Sequence, residues 1–449
     1  MFWKKEISGA YGTSVFQKKT SHFFKKKNNS LTVNGTHFLD EKLSYDHSIL
    51  IAPSGAGKTS IIVLPSILNL IKHGKSFVCT DPSGELYALS KSMLQAKGYI
   101  VKILDPNHVT AQYNPLQKIT CDMDIDKLAD IIVQTASGQD NGNQFWNNNA
   151  RLGISYAIKI ALHLDNKEQN IAGVKNIIEL MGGTPEQRRI PNEIALNHFS
   201  DQQFTAFTSF ISQPDTTFLN IVSTMRSVLI KLSYSNISKL LEKDSISFED
   251  LRKKDKQCIF LSIKESELDI FKQFTAIFYT QLFDFASTMP QNKNDKYNSI
   301  AFILDEFASS NIPAPIIASG ISSLRKRKIA ILIVLQNYSQ LCALYNPDIA
   351  NTIFSNCATK IFLSGMDDNS CKILSSLLGR TTFRKKKSIL PWVDVESEKE
   401  MSRQLLEPSE IRRISKNETI VIQGNNQPFL LKTLPYYKNR RLKKNTFNS

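Results

Sequence analysis

The sequence has little cysteine and histidine, and neither residue is arranged as a ligand set. Its seven histidines show no metal-ligand spacing, and no C-x-x-C pair occurs. This pattern excludes zinc-ribbon and disulfide-rich proteins. It predicts a protein of the reducing cytosol that contains no structural zinc. The six cysteines are Cys79, Cys121, Cys258, Cys342, Cys357 and Cys371. Cys79 and Cys258 lie in apolar runs, where cysteine is typical of a small core residue.

Long hydrophobic runs are also lacking. No apolar run approaches the roughly 18–20 residues that a membrane-spanning helix needs. The first residues are rich in lysine and contain no apolar core of a secretory signal. We therefore expect a cytoplasmic protein that is at most peripheral at the inner face of the cell membrane.

Acidic residues are in the minority. The 449 residues include 41 Asp and Glu against 56 Lys and Arg, which gives a formal net charge of +15. Such a surplus favours an anionic partner, either a nucleic acid or a lipid surface. The cations cluster near both ends, at Lys4, Lys5, Lys18, Lys19, Lys25, Lys26 and Lys27 and at Lys438, Arg440, Arg441, Lys443 and Lys444. A solvated, disordered arm is an equally good interpretation of such runs.

The most informative stretch is residues 49–59, Ile-Leu-Ile-Ala-Pro-Ser-Gly-Ala-Gly-Lys-Thr. It predicts a buried strand and a glycine-containing turn, and the apolar run from Ile61 to Ile71 predicts a helix. This order is typical of a phosphate-binding loop, in which backbone N–H groups and the helix dipole attract phosphate. The first position is Ala52, where the pattern has glycine. We predict nucleotide contacts at Pro53, Ser54, Gly55, Ala56, Gly57, Lys58, Thr59 and Ser60.

Two of these residues have specific predicted roles. Lys58 would reach the β- and γ-phosphates of ATP, and the Thr59 hydroxyl would be a ligand of Mg²⁺. The predicted cofactors are therefore ATP and Mg²⁺.

A second apolar run, Ile300–Leu304, ends in two acids. It predicts a buried parallel strand that delivers carboxylates to its carboxyl end, where open α/β sheets bind ligands. Asp305 would hold Mg²⁺ through its water shell, and Glu306 would polarise the attacking water as a general base. The alternative is a strand followed by an acidic helix cap, which the phosphate-binding loop makes the weaker interpretation.

A third apolar run, Ile329–Leu335, is followed by Gln336 and preceded by the four cations Arg325–Lys328. Gln336 could contact both the γ-phosphate and the lytic water, or it could be an ordinary loop residue. One of the cations could act as an arginine finger, which accelerates phosphoryl transfer by about 10³–10⁵-fold. A solvated basic turn is the alternative.

The order of the predicted elements indicates an α/β fold with a mainly parallel sheet and an all-α insertion. Strands are predicted at 49–51, 76–80, 99–104, 258–263, 300–304, 329–335, 360–363 and 418–422. Helical apolar spacing predicts an all-α domain at 123–228. We expect a basic N-terminal segment at 1–47 and a nucleotide-binding domain in two parts, at 48–122 and at 229–449 with the basic tail.

Further motifs accompany the phosphate-binding loop. They are Thr80–Tyr87, Asp105–Pro106, Tyr113–Leu116, Phe145–Arg151, Leu304–Ser309, Gln336–Leu341 and Tyr436–Arg441. With these motifs, roughly residues 48–442 resemble the type IV coupling proteins, the hexameric RecA-like ATPases that bring DNA and protein substrates to a secretion or conjugation channel. Ser83 stands where the family has lysine. Typical members also begin with transmembrane helices, which this sequence does not show, so we expect membrane association only at the periphery or through partners.

The resemblance implies a RecA-like P-loop ATPase with catalytic residues Lys58, Asp305, Glu306, Arg325 and Gln336. Arg325 would be the finger that acts on a neighbouring subunit. It lies here in Leu-Arg-Lys-Arg-Lys rather than in the Gly-Arg-Gly-Tyr-Gly of the family, which leaves Arg327 as an alternative.

The resemblance also implies a homo-hexamer, a cargo of single-stranded or relaxase-bound DNA, and relaxosome and secretion-channel proteins as partners. Two other functions remain open. One is an FtsK/HerA-type translocase of duplex DNA, which would use the same loop and acids. The other is a substrate receptor that binds ATP and pumps nothing.

Overall fold

The computed structural model describes residues 11–20, 22–137, 144–253, 256–288, 297–309, 312–384 and 400–446. Lys4 and Lys5 of the predicted basic segment and the side chain of Lys444 lie outside this description.

The strands closely match those predicted from apolar runs, and several short ones are added. They are β1 (Phe24–Lys25), β2 (Phe38–Leu39), β3 (Ser48–Ile51), β4 (Ser76–Thr80), β5 (Ile100–Leu104), β6 (Gln257–Leu261), β7 (Ile300–Leu304), β8 (Ile329–Leu335), β9 (Thr359–Phe362), β10 (Arg380–Arg384), β11 (Glu400–Gln404), β12 (Glu418–Gln423) and β13 (Phe429–Lys432).

The helices fall mainly between these strands. They are α1 (Glu41–Ser44), α2 (Leu64–Lys72), α3 (Glu85–Ala96), α4 (Asp122–Ser137), α5 (Gln144–Ala161), α6 (Ile171–Met181), α7 (Pro185–His198), α8 (Asp201–Ile211), α9 (Asp215–Leu229), α10 (Ser235–Leu240), α11 (Leu268–Thr288), α12 (Ala314–Leu324), α13 (Tyr338–Tyr345), α14 (Pro347–Asn356), α15 (Asp368–Leu378), α16 (Pro408–Arg412) and α17 (Arg440–Thr446).

In the described part of the chain, nine strands form one sheet in the order β13-β12-β9-β3-β8-β7-β4-β6-β5. The pairs from β9 to β5 are parallel, and β12 is antiparallel to both β9 and β13. Strands β3, β4, β6, β7 and β8 are buried along their whole length. That burial explains why they read as continuous apolar runs. The α/β class and the mainly parallel sheet are confirmed.

The long helical region lies between β5 and β6, which are neighbours at one side of the sheet. It continues to the end of α10 at Leu240, beyond the predicted limit at 228. Its apolar residues, such as Ile154 and Ile177, belong to the same hydrophobic cluster as Val78 and Ile259 of the sheet. The helical region is therefore packed on the sheet through a shared core, and the domain limits stay a prediction.

Residues 23–45 pack against the sheet, so the interpretation of a solvated arm does not apply to them. Phe24, Leu31 and Leu39 are buried. The Phe24 ring meets the Phe429 ring of β13 edge-to-face at a centroid distance of 4.9 Å. The neighbouring Lys25 is exposed. The lysine run gave no sign of this packing because the apolar residues are scattered among the charges.

We expect Phe24→Ala to lower the free energy of unfolding by about 3–5 kcal/mol, since it removes a fully buried ring. Lys25→Ala in the same strand is the matched control and should change stability by less than about 0.5 kcal/mol. Urea unfolding of both variants measures the difference. Equal stabilities would show that residues 23–45 are not part of the core.

Candidate nucleotide-binding site

The loop between β3 and α2 has the backbone that a phosphate-binding loop requires. Gly55 and Gly57 have φ values of 76° and 92°, a left-handed conformation that favours glycine. A wide π-helical turn over Lys58–Val63 follows and leads into α2. The first N–H groups of such a helix have no acceptor within it. They are therefore available to an anion.

Pro65 is the second residue of α2 and directly follows the wide turn. Local helix propensity does not predict a proline inside this apolar run. The wide turn accommodates it, because the backbone hydrogen bonds shift there by one residue: the N–H of Leu64 donates to the Thr59 carbonyl, five residues back.

Lys58 is buried at the base of the loop. Its ammonium group donates a hydrogen bond to the Ala52 carbonyl oxygen at 3.1 Å. The Ser60 hydroxyl is turned back onto the Gly57 carbonyl oxygen at 3.3 Å. Thr59 lies between them and is half-buried. Lys58 and Thr59 thus occupy the first helical turn beside the strand tips.

Both predicted acids lie at the same sheet edge as the loop. Ile51 pairs with Leu335 and Leu304 pairs with Ile333, so β3, β7 and β8 end close together. Asp305 follows β7 directly and is only 8% exposed. Because Lys58 acts electrostatically on the Asp305 carboxyl, the lysine and the acid belong to one site.

Glu306 has a φ of 51°, which is uncommon for a residue with a side chain. Its backbone N–H donates to Oδ1 of Asp305 at 3.2 Å. Its Oε2 accepts from Nε2 of Gln336 at 3.5 Å, a long contact. The left-handed turn after β7 thus brings the carboxylate of Glu306 to the tip of β8.

The Gln336 backbone is fixed by a contact within its own turn, since its N–H donates to Oε1 of Gln340 at 2.9 Å. Gln336 is therefore half-buried beside Glu306 rather than an isolated loop residue. The predicted base and sensor are in reach of each other.

Burial and, second, the charge of Glu306 raise the pKa of Asp305, Lys58 lowers it, and the net value is about 7. Asp81, which follows β4, adds a smaller repulsion. Its own pKa is raised by burial, although its oxygens accept from the backbone N–H groups of Leu86 and Tyr87. The site therefore concentrates negative charge, which suits a divalent cation.

Sequence reasoning did not assign roles to Thr80 or Asp81. The Thr80 hydroxyl donates to the backbone carbonyl of Asp305 at 2.7 Å and so fixes the end of β7. Asp81 caps α3 through its two backbone contacts. Both lie at the carboxyl end of an apolar run, which is a usable signal. Only the β4–β7 pairing shows that they belong to this site.

Arg325 lies at the opposite edge of the sheet, where the parallel strands have their amino ends. It follows α12 and precedes β8, whose seven residues span roughly 20 Å before Gln336 is reached. Its side chain is 65% exposed, and its Nε lies 2.5 Å from Oδ1 of Asp46. Arg325 therefore cannot reach the phosphate-binding loop of its own chain.

Arg327, the alternative finger, is half-buried in the same turn. Its charge lowers the pKa of the nearby Arg252, whose principal shift comes from burial. Of the two arginines, Arg325 is the one that projects into solvent.

The sequence model of the family described as type IV secretory system conjugative DNA transfer matches residues 8–448. The chain belongs to this family. The match covers the phosphate-binding loop, both acids and Gln336, and it agrees with the resemblance noted from individual motifs.

Curated relatives are also similar in sequence. Protein VirD4 of Rhizobium radiobacter is 22% identical over 409 residues, which cover 89% of this chain and 58% of that protein. The probable conjugal transfer protein TraG of Sinorhizobium fredii is 22% identical over 404 residues, covering 87% of this chain and 62% of that protein. The chain thus spans about 60% of the length of these family members.

Solved structures share the fold. The bacterial conjugative coupling protein TrwBdeltaN70 has a TM-score of 0.70 at 15% identity, with 96% of each chain covered. TrwB in complex with ADP and Mg²⁺ also has a TM-score of 0.70, at 16% identity, with 95% of this chain and 96% of that one covered. VirB4 of Thermoanaerobacter pseudethanolicus has a TM-score of 0.53 at 10% identity, covering 91% and 97%. The RecA-like fold is therefore confirmed for this family member.

Within the described ranges, none of the helices combines the length and the apolar character needed to cross a membrane.

The raised pKa of Asp305 has a measurable consequence. The folded protein keeps this proton up to about pH 7, whereas the unfolded chain releases it near pH 4. Between these values the folded state binds more protons, so this group makes the free energy of unfolding fall as pH rises. We expect Asp305→Asn to remove that part of the pH dependence.

Urea unfolding of the nucleotide-free protein between about pH 4 and pH 8 measures the effect. Asp269→Asn changes an exposed carboxyl in the first turn of α11 and is the matched control. If Asp305→Asn and the parent show the same pH dependence, the pKa of Asp305 is not raised.

Proposed function

We propose that this chain is the ATP-hydrolysing motor of a conjugative coupling protein, which moves DNA or a nucleoprotein toward a type IV secretion channel. The observation that carries the proposal is the convergence of Lys58, Asp305, Glu306 and Gln336 at one sheet edge beside the loop. Family membership supplies the conjugative setting.

The residues present fit a nucleotide and a divalent cation. The left-handed glycines and the first-turn N–H groups favour phosphate. The buried Asp305 and Asp81 carboxyls favour a cation. Bound Mg²⁺–ATP would supply the phosphoryl group that is transferred to water.

Each side chain then has a separate task. Lys58 would bind the phosphates, while Thr59 and Asp305 would hold the cation, Asp305 as its deprotonated carboxylate. Glu306 accepts a proton from the attacking water. Gln336, which lies within reach of that carboxylate, orients the same water.

Arg325 would complete the site of a neighbouring subunit. Its position at the opposite sheet edge and its exposure support action in trans, because a ring of identical subunits can bring that edge to the next loop. The resemblance to the type IV coupling proteins adds that this ring is a homo-hexamer, with Arg325 as its arginine finger. Arg327 is the less favoured choice because it is half-buried.

The remaining parts of the proposal follow from family membership. Residues 48–122 and 229–449 form the motor domain, and residues 123–228 form the all-α domain that contacts DNA-processing proteins. The cargo is single-stranded or relaxase-bound DNA, and the partners are relaxosome and channel proteins. The chain works in the cytoplasm, with any membrane contact peripheral or through partners.

Two other functions use the same site. A duplex-DNA translocase would disrupt a triplex ahead of it, whereas a motor for single strands would not require a duplex. A substrate receptor would bind ATP without DNA-stimulated turnover. DNA-stimulated ATP turnover separates the motors from the receptor, and triplex disruption separates the two motors.

We expect Glu306→Gln to keep nucleotide binding and to lose about 10²–10⁴-fold in turnover, since the base is removed while the loop and Asp305 remain. Lys58→Ala should instead weaken nucleotide binding. Binding and hydrolysis are measured separately, with Glu186→Gln on the exposed surface of α7 as the control. Parental turnover in Glu306→Gln would contradict the assignment of the base.

Mixing two inactive variants tests the trans arrangement. Rings formed from Arg325→Ala and Glu306→Gln subunits should regain some turnover, because some interfaces unite an intact finger with an intact base. Lys326→Ala, an exposed neighbour, should need no such rescue. Arg327→Ala tests the alternative finger.

Co-assembly of the two variants is verified by differential tagging. A mixed ring without any regained turnover would mean that Arg325 acts within its own subunit or takes no part in hydrolysis.

A further inference from the structure

Arg325 is held by one specific acid. Its Nε lies 2.5 Å from Oδ1 of Asp46, and the Asp46 side chain is only 15% exposed, compared with 65% for Arg325. Charge-assisted contacts of this length are the strong kind of hydrogen bond. A half-buried acid thus anchors the base of an exposed guanidinium group.

The backbone around Asp46 is fixed on both sides. Its N–H donates to the Leu43 carbonyl at 3.2 Å, and its carbonyl accepts from the Ala358 N–H at 2.8 Å. The first contact ties it to the end of α1 and the second to the start of β9. Asp46 is therefore a rigid support rather than a mobile surface acid.

His47 connects this support to the elements that carry Arg325. Its ring is buried, with Nε2 at 2.9 Å from the carbonyl oxygen of Ile321 in α12. Its Nδ1 accepts from the N–H of Ile331 in β8 at 3.3 Å. Burial lowers the pKa of His47 to about 4, so the ring is neutral and keeps both contacts at physiological pH.

The contact with Asp46 leaves most of the guanidinium group free to bind. Arginine has five N–H donors in a planar fork, and Nε supplies only one of them. The two terminal nitrogens can bind a phosphate bidentately while Nε stays on the carboxylate. The pair therefore orients Arg325 and does not block it.

Asp46 and His47 are joined to the phosphate-binding loop of their own subunit by a single short strand. Asp46 and His47 precede β3, and β3 has only four residues before Ala52 begins the loop. A rigid four-residue strand thus joins the support of the finger at one sheet edge to the phosphate-binding loop at the other.

We propose that Asp46 is a positioning residue for Arg325, which sets the guanidinium group at the angle needed to reach the nucleotide of the neighbouring subunit. This inference rests on the proposed function. In this proposal, β3 fixes the distance between Arg325 and the phosphate-binding loop of the same subunit.

The test compares Asp46→Ala, Arg325→Ala and the double variant in the full chain. Asp46→Ala should lower kcat about 10-fold, with unchanged nucleotide affinity, because its own loop and acids remain intact. The double variant should be no slower than Arg325→Ala, since a residue that acts through Arg325 has no effect in its absence. Asp46→Glu, which retains a carboxylate, should recover part of the turnover.

Mixed rings provide the readout that a merely structural role would not change. Subunits with Asp46→Ala should regain turnover when mixed with Glu306→Gln subunits, because the latter supply a well-placed finger to an intact site. Lys326→Ala is the matched control. Asp46→Asn, which is isosteric, replaces Asp46→Ala if the alanine variant does not fold.

The outcomes separate the inference from the function on which it rests. If Arg325→Ala lowers turnover and Asp46→Ala does not, the positioning role is wrong and the finger stands. Additive losses in the double variant, or no regained turnover in mixed rings, would also overturn the positioning role. If Arg325→Ala itself leaves turnover unchanged, the proposed trans finger fails first.

Discussion

The site depends on the parallel pairing of β3, β8, β7 and β4. Parallel strands place all their carboxyl ends at one edge of the sheet and all their amino ends at the other. The loop after β3, the acids after β7 and Gln336 after β8 therefore meet without any direct link in sequence. The same constraint sends Arg325, which precedes β8, to the far edge.

Placing several acidic groups at the carboxyl ends of the strands is electrostatically unfavourable, and a neighbouring cation offsets part of the repulsion. Asp305 and Asp81 are buried, and the pKa of each is raised by that burial. Lys58 offsets part of the repulsion on Asp305. The positive φ of Glu306 adds strain, of a size near 1–3 kcal/mol for such residues. Strain and unfavourable charge together at one edge are typical of a site prepared for a charged ligand.

The far edge is organised by different chemistry. There the principal contact is the ion pair between Asp46 and Arg325, supported by the buried His47. Neither Asp46 nor His47 stands in a sequence motif. His47 directly precedes an apolar strand and has a positive φ. Their importance follows only from the position of Arg325 in the fold.

The sequence by itself determined the buried strands, because each is a continuous apolar run, and it determined the loop and the acids, because each follows such a run. It could not determine β1, β2 or β13, which are short or half-exposed, nor the extension of the helical region to Leu240. Strand order has no local signal, since register and neighbours are set by packing across the whole chain. Only the tertiary structure therefore decided that Thr80 and Asp81 share a site with Asp305 and that Asp46 supports Arg325.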